Sequence, residues 1–395
     1  MAVTLITITA YGDSPGKRGA ALLIHSPAGP GSAEPHLAQG PGGAVVLSWL
    51  ERESKDGPVA LRYSSLTDGQ WQTGTTITRG EHWFVNWADF PSVSPITSDL
   101  WAAHWLQKKP GGTYAYDVAI SLSQDAGKSW SEPMTPHTDN TRTEHGFVSL
   151  FPWQDGVGAL WLDGRNMESG GMTLRAAVIS PGLSITSENL VDDLVCDCCQ
   201  TDVALVPTGP IAVYRNRTSD EIRDIYISRA IDGHWEEGRA VGDDGWETAA
   251  CPVNGPAIAA SGSEVVVAWF TMANDIARVR YARSSDGAAS FSTPIDIDAE
   301  QANGRVDVAL LDNGNAVVSW LRTGTDNQGE LAIRVVSKTG KLGAVQMIAP
   351  TSTNRPAGFP QMISTGAQLV FAWTDTSGDQ PSVQTALLDV TLLQE

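Results

Sequence analysis

The chain of 395 residues has no apolar stretch near the roughly 18 residues that a membrane-spanning helix requires. It is also poor in basic residues: 26 Lys and Arg stand against 45 Asp and Glu, a formal charge of −19. Phosphate backbones bind concentrated positive surface, so a nucleic-acid partner is excluded, and contact with anionic lipid is disfavoured on the same ground. The acidic residues are spread over many loops rather than gathered in a tail, and read mainly as solvated surface. The opening residues, MAVTLITITAYG, lack a basic start and a small-residue cleavage site, so they do not read as an intact signal peptide. We expect an exported protein, periplasmic or secreted, whose leader is not in this sequence, with a cytoplasmic location as the alternative. Cysteine is scarce as well: there are four, and their placement proves informative.

The chain does contain 39 Gly, 22 Pro and 14 Trp, which punctuate short apolar runs in the manner of an all-β fold. Seven runs end in an aromatic residue, at Trp49, Trp105, Trp161, Tyr214, Trp269, Trp320 and Trp373, with gaps of 56, 56, 53, 55, 51 and 53 residues. A fixed period of this size indicates a toroid or solenoid of similar units. About a dozen residues after each aromatic comes an alternating run, as in PVALRYSS and MTLRAAVIS, suited to a half-buried strand. Four units then show a turn with Asp, Gly and an aromatic. The fullest is Ser123-x-Asp125-x-Gly127-x-x-Trp130, and weaker versions begin at Asp68, Asp232 and Ser284. In such a turn Asp accepts backbone N–H bonds, Gly takes a positive φ and Trp packs beneath.

Four strands per unit around a central channel make a β-propeller. The expectation is one domain over residues 1–395, a seven-bladed β-propeller of four-stranded antiparallel sheets. The seventh unit stops after its third strand, so an N-terminal run, VTLITIT or AALLIHS, would supply the fourth and close the ring. Six blades plus an edge insertion is the alternative.

The Ser-x-Asp-x-Gly-x-x-Trp turns resemble the Asp box (BNR repeat) of sialidase-like β-propellers. Over almost its whole length the chain also resembles bacterial proteins labelled sialidase-like or exo-α-sialidase, through NWADFPS, TEHGFVSL, WLDGRN, CDCCQT, YRNR with RDIY, and ACPVNGP. The resemblance implies a sialidase site, with three arginines on the substrate carboxylate, a tyrosine nucleophile paired with a glutamate, and an aspartic acid that protonates the leaving group. Arg165, Arg215, Arg217, Arg305 and Arg355 fall on the right face, and Asp89 is placed to act as the acid. The rest of the pattern is missing. No tyrosine leads into blades five to seven, Tyr114 and Tyr116 precede the third strand of blade two, and the Arg-Ile-Pro motif of sialidases is absent. Without a Tyr/Glu pair the acid has no partner.

In a propeller, the segments leading into the innermost strands converge at one channel mouth. Superposing the units gives Pro35-His36, Asn86 to Asp89, Glu144-His145, Cys196 to Gln200, Cys251 to Asn254, Gly304-Arg305 and Asn354-Arg355. Polar, bulky and reactive residues prevail there, which is the profile of a functional mouth. All four cysteines lead into blades four and five, with His145 expected beside them. Thiolates with imidazole suit copper(I) or zinc, and a site so dense in sulfur leans to copper. The expected ligands are Cys198, Cys199 and Cys251, completed by Cys196 or His145, with Glu144 and Asp197 orienting them. Arg165, Arg215, Arg217, Trp87, Asp89, Asn254, Arg305 and Arg355 would bind a small molecule or glycan beside the metal. Structural disulfides and redox-active thiols are the competing uses of these cysteines. His36 at a lead-in and His104 beside Trp105 are expected to be satisfied polar or core residues, and His82 carries little weight. His137 and His234 are expected in solvent-facing outer turns. The functions considered are metal binding or delivery, a metal-assisted reaction, a sialidase-like hydrolase or glycan binder, and a protein-interaction platform.

Overall fold

The computed structural model describes residues 20–394 apart from 53, 55, 56 and 325–327. It is a ring of seven antiparallel sheets, and the only helices among the described residues are four three-residue 3-10 turns. The innermost strands are Ser32–Gln39, Ser92–Pro95, His145–Trp153, Asp202–Val206, Ala257–Ser261, Ala302–Leu310 and Gln361–Ser364, one per blade in chain order. The six-bladed alternative is therefore incorrect. In blade two the fourth strand is reduced to an isolated bridge between Ile120 and Met134. Blade seven is completed by Leu22–Ile24, which pairs antiparallel with Ser382–Asp389. The segment AALLIHS thus closes the ring, while VTLITIT lies outside the described residues.

Each second strand is sandwiched between neighbouring blades, so both of its faces are dry and it reads as a continuous apolar run. Val45–Arg52 and Gly156–Asp163 are buried almost throughout. The seven anchor aromatics are all buried. In five units the anchor's polar hydrogen meets a carboxylate: Trp49 with Glu51 at 2.9 Å, Trp161 with Asp163 at 2.8 Å, Tyr214 with Asp192 at 2.6 Å, Trp269 with Asp244 at 2.7 Å and Trp320 with Asp298 at 2.9 Å. A buried indole N–H or phenol O–H left without an acceptor costs on the order of 1–3 kcal/mol, which accounts for an acid beside each of these rings. In register across the strand pair, Arg62, Arg175 and Arg280 face Trp49, Trp161 and Trp269. Arg62 and Arg280 pair with the same acids, Glu51 and Asp244. In these three blades the arginines account for a polar position of the third strand, set opposite the anchor.

The turns after the third strands follow their residue chemistry. Asp68-Gly69 and Asp232-Gly233 are two-residue hairpin loops with all four φ angles positive. At Ser123 to Trp130, Asp125 accepts from Ser129 N at 2.8 Å, and the Trp130 indole donates to Gly127 O at 3.0 Å.

Trp320→Phe retains most of the packing but loses the bond to Asp298. It should cost about 1–3 kcal/mol in urea unfolding, against about 3–5 kcal/mol for Trp320→Ala.

Candidate functional site

The lead-in segments converge as the repeat requires, and a recurring backbone device sets their geometry. The innermost strands of blades one, three and six shift register between Ala33 and His36, Gly146 and Ser149, and Gly304 and Asp307. Each shift carries a left-handed residue: Glu34, Phe147 and Arg305, at φ 52, 53 and 55. In blades three and six that residue's N–H is captured by the preceding blade, Phe147 N by Asp89 Oδ1 and Arg305 N by Asn254 Oδ1, both at 2.7 Å. Glycine precedes both, because a Cβ at Gly146 or Gly304 would stand 2.1 Å from Asp89 Oδ2 or Asn254 Oδ1. Further round the ring, Asp202 accepts from Ile258 N at 2.9 Å and Asp307 from Met362 N at 2.7 Å. These bonds rivet successive blades around a channel of about 850 Å³, lined by His36, Asp89, Gln200, Asp202, Asp307 and Phe359 among others.

The four cysteines meet at this mouth. Cys196 Sγ lies 3.2 Å from Cys199 Sγ and 3.7 Å from Cys198 Sγ, and Cys198 is joined to Cys251 as a disulfide across 53 positions. Cys196 and Cys199 are buried free thiols, whereas Cys251 is exposed. Arg223 donates to Cys196 Sγ at 3.4 Å and to Asp197 at 3.3 Å. Burial pushes the Cys196 thiol well up. Burial opposes ionisation of Cys199 too, but a hydrogen bond from Cys196 and the Arg215 charge outweigh it and bring that thiol down to about 7. Of the pair, Cys199 is the thiol that ionises first.

Next to the thiols is a hydrogen-bonded triad that the sequence did not disclose. Tyr116 Oη donates to Glu144 Oε1 at 2.5 Å and lies 3.1 Å from Asp89 Oδ2. The expectation that Asp89 lacks a Tyr/Glu partner is thus overturned. Tyr116 opens the third strand of blade two, Tyr116–Ser123, instead of leading into a later blade. Burial raises Asp89 to about 8 and Glu144 to about 7, and the neighbouring charge of Asp197 adds to the shift at Glu144. Asp89 is therefore protonated at neutral pH and able to donate.

The expected ligand-binding arginines are mostly engaged. Arg165 forms a bidentate pair with Asp163 at 2.7–2.8 Å and reaches Glu188 at 2.8 Å. Arg217 is bidentate on Glu221. Arg215 is wholly buried and donates to the carbonyls of Arg223, Asn254 and Phe270, so it holds loops together. Arg305 donates to the carbonyls of Thr353, Asn354 and Gly358, and its guanidinium lies 4.9 Å from the Trp87 ring, which in turn stacks on Phe359. Arg355 is exposed and opens the 3-10 turn Arg355–Ala357 at the same mouth.

His145 does not join the thiols. It is fully buried and stacks on His137 at 3.9 Å, among Asp117, Asp139 and Asp163. His137 is likewise buried instead of solvent-facing, because its ring covers His145. His104 is buried against Ser92 at 2.8 Å, as expected for a core residue, and His36 is half-buried in the channel wall. Sequence reasoning set Tyr116 and His137 aside as non-site residues and missed Arg223, Asp117 and Asp139. Arg223 alone had a signal, since it lies in the RDIY segment.

No family model matches the chain, and no curated protein matches it. Solved structures do. A protein of unknown function from Dyadobacter fermentans superposes with a TM-score of 0.54 at 11% identity, covering 94% of this chain and 98% of that one. A GH93 α-L-arabinofuranosidase of Fusarium graminearum, solved with arabinobiose, gives 0.52 at 11% identity over 95% and 99%. A NanB sialidase variant from Streptococcus pneumoniae gives 0.48 at 10% identity over 89% and 84%. At such identities the likeness is one of fold, a propeller shared with glycoside hydrolases.

The riveting acids make stability pH-dependent. Burial lifts the Asp307 carboxyl to about 8, against about 4 for an unfolded aspartate. Between these values the folded chain binds more protons than the unfolded one, so this group's contribution to stability falls as pH rises from about 4 to 8. Urea midpoints across that range should decline for the native protein and decline less for Asp307→Asn.

Proposed function

We propose that the four cysteines form a soft-metal site at the channel mouth, for binding or delivering copper, with zinc as the alternative ion. The supporting observation is the convergence of Cys196, Cys198, Cys199 and Cys251 from two blades, with sulfur spacings of 3.2 and 3.7 Å. Thiolates about 2.3 Å from a metal stand about 3.8 Å apart, close to the spacings among Cys196, Cys198 and Cys199, whose sulfurs all lie within 4.8 Å of one another. Cys251 falls outside that group and would have to move in once the disulfide is reduced. Arg223 and Arg215 would offset the negative charge of a metal–thiolate centre. The disulfide fits an exported protein, periplasmic or secreted, in which redox state governs occupancy. Protein purified with reductant should retain about one copper or zinc, lose it on oxidation, and fail to bind it as Cys199→Ser. Four freely titrating thiols with no retained copper or zinc would end this reading.

The Tyr116–Glu144–Asp89 triad supports a second reading, a glycoside hydrolase in which Asp89 is the acid and Tyr116, paired with Glu144, is the nucleophile. Tyr116 is fully buried and stacked on Phe84, so the loops over it would have to open to admit a sugar. Sialidases use a tyrosine nucleophile, and the arrangement supplies the pair that the motif search lacked. Trp87 and Arg355 would then border the substrate. Arabinofuranoside or sialoside turnover should disappear in Tyr116→Phe and Asp89→Asn, and in the native protein should fall above about pH 8 as Asp89 ionises. Turnover that persists in both variants, or is absent from native protein on both substrates, argues against it.

A further inference from the structure

A second cluster of metal-ligating groups lies outside the thiol site, where blade two hands over to blade three. The partners of the two stacked histidines fix their tautomers. His145 Nδ1 lies 3.2 Å from the carbonyl of Tyr116, which can only accept, so in the neutral ring the proton sits on Nδ1 and Nε2 presents a lone pair. That lone pair has no hydrogen-bond partner, is fully buried, and faces Asp139 Oδ2 at 3.4 Å and Asp163 Oδ1 at 3.7 Å. His137 repeats the pattern. Its Nδ1 bonds Asp139 Oδ1 at 2.7 Å, and its Nε2, also without a partner, faces Asp117 Oδ1 at 3.6 Å. Buried lone pairs directed at carboxylates repel, so a positive charge belongs between them. Among the described residues Arg165 and Lys109 are the only basic chains paired with the three acids, and neither reaches the His145 lone pair.

We infer that His145 Nε2, Asp139 Oδ2 and Asp163 Oδ1 form a second metal site, for a borderline divalent cation of the zinc class. Atoms bound tetrahedrally about 2.0–2.2 Å from such an ion stand about 3.3–3.6 Å apart, and these three ligand atoms, all within 4.8 Å of one another, include spacings of 3.4 and 3.7 Å. Imidazole with carboxylate is a donor set for zinc or its neighbours, unlike the thiols. The carboxylates are already oriented: Thr141 N and Oγ1 donate to Asp139 Oδ2, and Arg165 N and Nε donate to Asp163 Oδ1 at 3.0 and 2.8 Å, so each oxygen would exchange one of these bonds for the ion. Asp139 lies in the connection before blade three, and Asp163 and His145 lie on its first two strands, so the ion would clamp that connection to the blade. Glu144, the neighbour of His145, belongs to the tyrosine triad, so the clamp would also fix the position of that acid.

Oxidising the protein with diamide until no free thiol titrates removes the sulfur site and isolates this one. Such protein should retain about one zinc after dialysis. Cobalt in its place should give ligand-field bands of a nitrogen and oxygen shell with no thiolate charge-transfer band. His145→Asn, and independently Asp139→Asn, should weaken zinc binding at least tenfold with an unchanged circular dichroism spectrum. Oxidised native protein that retains neither metal, or an His145→Asn protein that binds zinc as tightly as the native, overturns the inference. If both variants fail to fold, the cobalt result on native protein decides it.

Discussion

The ring depends on hydrogen bonds that cross from one blade to the next near the axis. Side chains of Asp89, Asp202, Asn254 and Asp307 each take a backbone N–H from the following blade. Hydrophobic packing between sheets is non-directional and would tolerate sliding. A buried N–H with a single available acceptor does not. These contacts therefore set blade against blade to within a bond length, and the mouth inherits that registration.

Function and stability are entangled at these positions. Asp89 is both a rivet and a member of the tyrosine triad. Asp163 is both the acceptor for the Trp161 indole and a wall of the histidine cluster. Asn254 holds Arg305 N while its carbonyl receives Arg215, whose charge favours the Cys199 thiolate. Removing one such residue disturbs chemistry and architecture together, so conservative replacements are more informative than truncations.

Much of this was legible in the residues. The spacing of Trp49 through Trp373 identified the blades, and superposing the units brought Cys198 and Cys251 together from positions 53 apart. The limits have a physical origin. A period locates positions that repeat, not the residue type that matters at one of them: Tyr116 opens the third strand of blade two as Val59 does in blade one, and His137 lies in a connection between blades. Tyr116 reaches the mouth because its strand begins there, and His137 is buried because the loop that carries it and Asp139 folds it over His145. Likewise, their place on the mouth face suggested ligand-binding arginines, whereas the carbonyls around Arg215 and Arg305 become visible only once the loops are placed.

The closing strand has a consequence for how this molecule comes into being. Leu22–Ile24 joins Ser382–Asp389 in one sheet, and Thr385 Oγ1 donates to Ile24 O over 361 positions. Looping a chain over that distance is entropically costly and is repaid only after the last blade exists. During synthesis the early blades must wait as an open arc with unsatisfied edges, exposed to stray pairing until the final strand emerges from the ribosome.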